Sequence, residues 1–133
     1  SNVAGRDNVL LLPKNPDISA KKIMNFFKKK YNTDIGLVIT DTFGRPWRVG
    51  QVNVAIGVSG IPVTKSEKGT EDSFGNFMKV TEPAFCDEIA AASGLVIKKS
   101  SKTPIVLFRG LEWANAKSSI KDVLRKKKED MFL

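Results

Sequence analysis

The middle of this 133-residue chain sets its fold class. Val52 to Val58 (Val-Asn-Val-Ala-Ile-Gly-Val) alternates at its start and is punctuated by Gly57 and Gly60. Alternation followed by glycines reads as a strand that turns back on itself, not as one arm of a parallel crossover. Ile61-Pro62-Val63 then extends or pairs with it, and Lys65 to Asn76 is a polar, glycine-containing loop. A hairpin-like centre flanked by helical segments argues for an α+β fold with a mixed or antiparallel sheet and about three helices.

The flanks supply those helices. Ile23, Phe26, Phe27 and Tyr31 recur at helical spacing between Ala20 and Tyr31, with lysines opposite and with Asp17 or Ser19 as the expected cap. Glu82-Pro83 opens a second helix with the stripe Phe85, Ile89, Ala92 and Val96. Ala114 to Lys128 reads as a third, with Ile120, Val123 and Leu124 inward. Further strands are expected at Val9–Leu12, Ile35–Thr40, Phe77–Thr81 and Pro104–Phe108. At this length, with no repeat or low-complexity linker, residues 1–133 read as a single domain.

Composition narrows the chemistry. There is no histidine, so the commonest general base is absent and any metal must be held by oxygen. The one cysteine, Cys86, cannot close an internal disulfide, and a cytoplasmic setting is expected. No apolar run reaches the roughly 18 residues of a membrane span, and the polar start from Ser1 to Asp7 is unlike a signal peptide. The net charge of +8 calls for an anionic partner without choosing it. Neither GxGxxG nor GxxxxGK[ST] occurs, so neither common nucleotide fold is indicated. A basic nucleic-acid-binding domain ranks below the other readings, because aromatic residues are few and mostly used by helix stripes.

Ile39-Thr40-Asp41-Thr42-Phe43-Gly44-Arg45-Pro46-Trp47-Arg48 holds the richest chemistry. Asp41 and Thr42, read as lying just past a strand end, carry oxygens suited to Mg²⁺ or Mn²⁺; an Asx-type turn is the alternative. Arg45 and Arg48 straddle Pro46-Trp47 and could clamp phosphate or carboxylate; one of them stacked on Trp47 is the alternative. Glu71 and Asp72, near Gly69, could help hold a cation, or could be solvated acids beside turn glycines.

Several stretches in series resemble one family. They are Leu10-Leu11-Pro13 with Asn15-Pro16-Asp17 and Ser19-Ala20, the Ile39-to-Arg48 string, and Asn53-Val54-Ala55-Ile56-Gly57 with Gly60-Ile61. Gly69, Asp72, Gly75, Thr81 and Asp87-Glu88-Ile89-Ala90 follow, then Leu95-Val96, Pro104, Arg109-Gly110 and Glu129-Asp130-Met131-Phe132. This order resembles the coenzyme F-420:L-glutamate ligases, also called F-420-0:gamma-glutamyl ligases.

The resemblance implies a GTP-dependent enzyme that adds L-glutamate to the deazaflavin coenzyme precursor through an acyl phosphate. It implies Mg²⁺ or Mn²⁺ on Asp41 and Thr42, a monovalent cation such as K⁺, and nucleotide contacts at Asn2 and Lys99. Lys98 stands where the family has glycine. Arg45 and Arg48 are read as the catalytic charge-neutralising pair, independently of any family role. Only the C-terminal part of the longer family members is resembled. The expected partners are therefore a second copy or a missing N-terminal half, and the alternative function is a non-catalytic, anion- or nucleotide-binding remnant.

Overall fold

The computed structural model describes residues 8–98 and 100–132. Along the chain come α1 (Pro16–Tyr31), β1 (Leu37–Arg45), β2 (Arg48–Ser59) and α2 (Phe85–Val96), followed by two short 3₁₀ turns at Ile120–Val123 and Lys127–Glu129. The arrangement is α+β, and its two strands are antiparallel.

Asn15, not Asp17 or Ser19, caps α1: its side chain accepts from the Ile18 N–H at 3.0 Å. Pro16 then takes the first helical position, where its missing N–H costs nothing. Lys28, Lys29 and Lys30 fall in the last turn, favoured by the helix dipole, and Asn32 closes the helix in the left-handed region at φ 47°.

β1 and β2 form one hairpin joined by Pro46-Trp47, with proline at the turn position its fixed φ suits. Registry runs from Leu37↔Ser59 to Arg45↔Arg48, with a shift between Ile39 and Thr40 that leaves Ile56 as the extra residue on β2. The inner end of the hairpin carries the core. Ala55, Val58, Ile61, Val63, Phe85 and Cys86 are buried together, with Val38, Ile89, Trp113, Ile120 and Val123 packed around them.

Two carboxylates tie the helices to β2. Asp17 of α1 accepts from the Val58 N–H at 2.9 Å, and Asp87 of α2 accepts from the Ala55 N–H at 2.9 Å. Asp17 also accepts from Ser119 Oγ at 2.8 Å and from the Ile120 N–H, fastening the C-terminal stretch to the same spot. Gly57 permits the close approach of α1, since a Cβ there would lie 2.5 Å from Pro16 Cβ.

Several expected elements are not regular. Among the described residues Val9–Leu12, Phe77–Thr81 and Pro104–Phe108 are not regular strands. Phe77–Thr81 runs beside 67–70 on scattered bonds: the Gly69 N–H donates to the Met78 carbonyl at 3.0 Å, and the Met78 N–H to the Thr70 carbonyl and the Glu67 N–H to the Thr81 carbonyl, both at 2.9 Å. Pro104–Phe108 has no ladder. Phe77 keeps a single bridge to Glu71. Residues 114–128 are not an α-helix: Ser119 is extended and its hydroxyl is engaged by Asp17, and only the two short 3₁₀ turns follow. Ile120 and Val123 still reach the core, while Leu124 is exposed. In α2 the buried face is Phe85, Cys86, Ala90 and Ser93, and Val96 is exposed.

Candidate functional site

The outer end of the hairpin gathers the side chains with chemistry to offer. Asp41 and Thr42 lie inside β1, not beyond a strand end, because the Pro46-Trp47 turn lets both flanks continue the ladder. Successive strand positions face opposite sides of the sheet. Asp41 is accordingly exposed and Thr42 half-buried.

Asp41 Oδ1 accepts from the N–H of the next residue, Thr42, at 2.7 Å; within a continuous strand this is not the expected Asx-type turn, which would bond two residues on. Thr42 Oγ1 donates to Asn53 Oδ1 at 3.3 Å, directly across the ladder. Asn53 in turn lies against α2 at Gly94, where a Cβ would come within 3.2 Å of its Nδ2. Thr42, Asn53, Gln51, Ala91 and Gly94 line a cleft of about 480 Å³ between hairpin and helix.

Among the described residues no group of three or more His, Cys, Asp or Glu could hold a metal by itself. The donors at hand are one carboxylate (Asp41) on one face of the strand and, on the other, one hydroxyl (Thr42) and one amide oxygen (Asn53). An all-oxygen set with a single carboxylate fits a hard divalent cation that draws its remaining ligands from water and substrate phosphates. The donor chemistry is compatible with Mg²⁺ or Mn²⁺.

Arg45 and Arg48 face each other as the last ladder pair before the turn. Arg45 is half-buried; its Nη2 donates to the Gly50 carbonyl at 3.5 Å, while its Nε is out of solvent and has no hydrogen-bond partner among the described residues. Arg48 is exposed. Among the described residues the ion pair formed is Lys28–Asp34, so neither guanidinium has a carboxylate beside it. Two like charges opposed across a ladder are unfavourable unless an anion lies between or above them. The face of Trp47 is not taken by arginine. Phe132 stacks on it with ring centroids 5.1 Å apart and planes 7° apart.

The second candidate region is a turn. Asp72 accepts from the N–H groups of Phe74 and Asn76, both at 2.8 Å, and these bonds hold its carboxyl below the usual range. Glu71 sits at the bridge to Phe77. The thiol of Cys86 is buried and donates to the Pro62 carbonyl at 3.1 Å; burial, then the neighbouring Asp87 charge, pushes it up to about 12. It is core, not nucleophile. Asn2 and Lys99 lie outside the described residues.

Sequence reasoning passed over two residues here. Asn53 was detectable as an amide inside an otherwise apolar strand, which needs a polar partner to be retained there. Phe132 gave no local signal, because its partner lies in a distant segment.

Residues 1–110 match the family model of F420-0:gamma-glutamyl ligase. The chain is 40% identical over 125 residues to the coenzyme F420:L-glutamate ligase of Methanocaldococcus jannaschii, covering 93% of this chain and 50% of that protein. It is 43% identical over 105 residues to the enzyme of that name in Methanopyrus kandleri (78% and 42%). A Methanococcus maripaludis relative of the same name is 39% identical over 122 residues (91% and 49%). The chain thus spans about half the length, or somewhat less, of the curated relatives it matches.

Proposed function

The chain belongs to the F420-0:gamma-glutamyl ligase family, and on that footing we propose that it carries part of a GTP- and divalent-metal-dependent ligase joining L-glutamate to the deazaflavin coenzyme precursor. The single observation that carries the reading is the charged hairpin end, where an exposed carboxylate and two arginines with no carboxylate partner among the described residues share one ladder.

An amine does not displace oxygen from a carboxylate unaided. Phosphoryl transfer solves this: a carboxylate oxygen of the deazaflavin precursor takes the γ-phosphoryl group of GTP, giving an acyl phosphate and GDP. The glutamate amine then attacks the acyl carbon, the C–N bond forms, the C–O bond to phosphate breaks, and the amine gives up a proton. Such chemistry depends mainly on positioning and charge neutralisation, so the lack of histidine is no obstacle.

Each residue has a task in this scheme. Asp41 would hold Mg²⁺ or Mn²⁺, which when bound lowers the repulsion among phosphate oxygens, and Thr42, whose side chain faces the other side of the strand, would join it through its backbone oxygen. Asn53 orients the Thr42 hydroxyl through the 3.3 Å bond. Arg45 and Arg48 bind the anionic charge of phosphate or of the acidic substrate through their guanidinium groups. Asn2 and Lys99 are assigned nucleotide contacts, and K⁺ is an accessory cation. The protein is cytoplasmic in this reading, in keeping with a lone free thiol and with no helix among the described residues long and apolar enough to cross a membrane. Its assembly partners are the N-terminal half and, for the completed unit, a second copy.

Half-length coverage also favours a second reading, a binding subunit without turnover of its own. A ligation assay separates the two. The chain, with and without the unmatched half of a family member, is incubated with GTP, Mn²⁺, L-glutamate and the deazaflavin precursor, and product is followed by mass spectrometry. Glutamylated product with matching GDP supports the ligase. Absence of product under both conditions, from folded protein, refutes it.

A further inference from the structure

α1 turns one side to the hairpin and the other to solvent. Pro16 lies against Gly57, Met24 against Gly60, and Ala20 is fully buried. Asp17, the acidic residue of the helix, points the same way and accepts from the Val58 N–H. At 3.6 residues per turn the opposite side is set by Ile18, Lys22, Asn25 and Lys29, with Lys21 and Lys28 on one flank and Phe26 on the other. Lys21 and Lys28 stand two turns apart, as do Lys22 and Lys29, so the charges form two parallel rows.

This outer side is basic and bare of carboxylates. Every lysine of α1 is exposed, and among the described residues Lys28 alone has an acidic partner, Asp34. Large apolar side chains stand between the charges: Ile18 is 52% and Phe26 58% exposed. Lys30 Nζ lies 5.7 Å from the Phe26 ring centroid, so charge and ring are presented together. Such a face is complementary to an anionic surface, and a second copy of it is excluded because the two would repel.

Two features choose lipid over nucleic acid. The basic side chains of α1 are all lysine, hydrated point charges, with none of the forked arginines suited to gripping phosphates along a strand. Ile18 and Phe26 gain by entering the boundary between headgroups and acyl chains, while lysine stems reach back to the headgroups. A phosphate backbone offers an isoleucine no such gain.

We propose that the outer face of α1 is a peripheral docking surface for an anionic lipid bilayer, with Lys21, Lys22 and Lys29 on the headgroups and Ile18 and Phe26 at the acyl boundary. A cluster of lysines on an amphipathic helix is attracted by the negative potential of such a surface. The inference goes beyond the ligase reading and stands apart from it. Gly57, beside α1, and Arg48, at the charged hairpin end, are separated by roughly 30 Å of β2.

Sedimentation with vesicles tests the proposal. The whole chain is mixed with vesicles of phosphatidylcholine alone, or of equal parts phosphatidylcholine and phosphatidylglycerol, at low and high salt. Partition to the anionic vesicles should exceed that to the neutral ones at least about tenfold and fall as salt rises. Lys22→Gln combined with Lys29→Gln should weaken it about twentyfold. Lys68→Gln combined with Lys79→Gln removes the same charge from an exposed loop and should weaken it no more than about twofold. Phe26→Ser, with charge unchanged, should weaken it at least about fivefold. Circular dichroism checks that each variant keeps the parent's fold. Equal partition to both vesicle types, none to either, equal losses from the helix and loop pairs, or an unaffected Phe26→Ser would overturn the proposal. So would tight binding of single-stranded or duplex DNA by a chain that ignores the vesicles.

Discussion

The two ends of the hairpin are built for different purposes. At the inner end Ala55 and Val58 are buried, and carboxylates from two helices hold the N–H groups of β2. At the outer end Asp41, Phe43, Gly44 and Pro46–Gln51 are exposed, and the described packing is a ladder and one Trp47–Phe132 stack. Packing stabilises the inner end. The ladder transmits that rigidity outward, where charged groups can sit in water without the desolvation cost of a core. One continuous element thus supplies both the anchor and the exposed charged end.

Substitutions at the two ends should differ in kind, which gives the contrast its sharpest test. Gly57→Ala should do the most damage, because the new Cβ would meet Pro16 Cβ and backbone at 2.5–2.7 Å and must force α1 away. A loss of about 3 kcal/mol in urea unfolding is expected; a neutral substitution would mean that α1 does not pack there. Asp17→Ala comes next, at about 2 kcal/mol, as the N–H groups of Val58 and Ile120 and the Ser119 hydroxyl lose one shared acceptor.

Alkali should weaken the inner end more gently. The Cys86 thiol keeps its proton to about 12 in the folded chain but only to its ordinary 9.0 when unfolded. Between those values the unfolded chain releases a proton that the folded chain retains, so stability falls as pH rises. Cys86→Ala should remove that slope in alkaline unfolding curves, and an unchanged slope would assign it elsewhere. Arg48→Ala, at the exposed tip, should shift stability by no more than about 0.5 kcal/mol while weakening anion binding. A large stability loss there would erase the distinction between the two ends.

What could be read in the sequence was local. The strand core of Val52–Val58 and the helix from Ala20 to Tyr31 follow from periodicity, and the Asp41–Arg48 string stood out because a core has no use for those groups. The extension of the hairpin through Pro46-Trp47 was missed, because a proline after an apolar run reads as a stop as readily as a turn. Pro104–Phe108 has the composition of a strand and lacks its ladder, a property of neighbours and not of composition. The knot at Asp17 joins residues 41 and 102 positions away, beyond any periodicity argument. Distance in sequence likewise hid the pairing of Trp47 with Phe132.

The most direct test of the central claim, that the outer end is a metal-assisted anion site carried on a structural inner end, is calorimetric titration of GTP. It is run with and without Mn²⁺ on this chain and on Asp41→Asn, alongside urea unfolding of both. The account predicts Mn²⁺-dependent binding in the parent, its loss in Asp41→Asn, and coincident unfolding curves. Equal binding heats from both proteins, none from either, or a loss that tracks unfolding would contradict it.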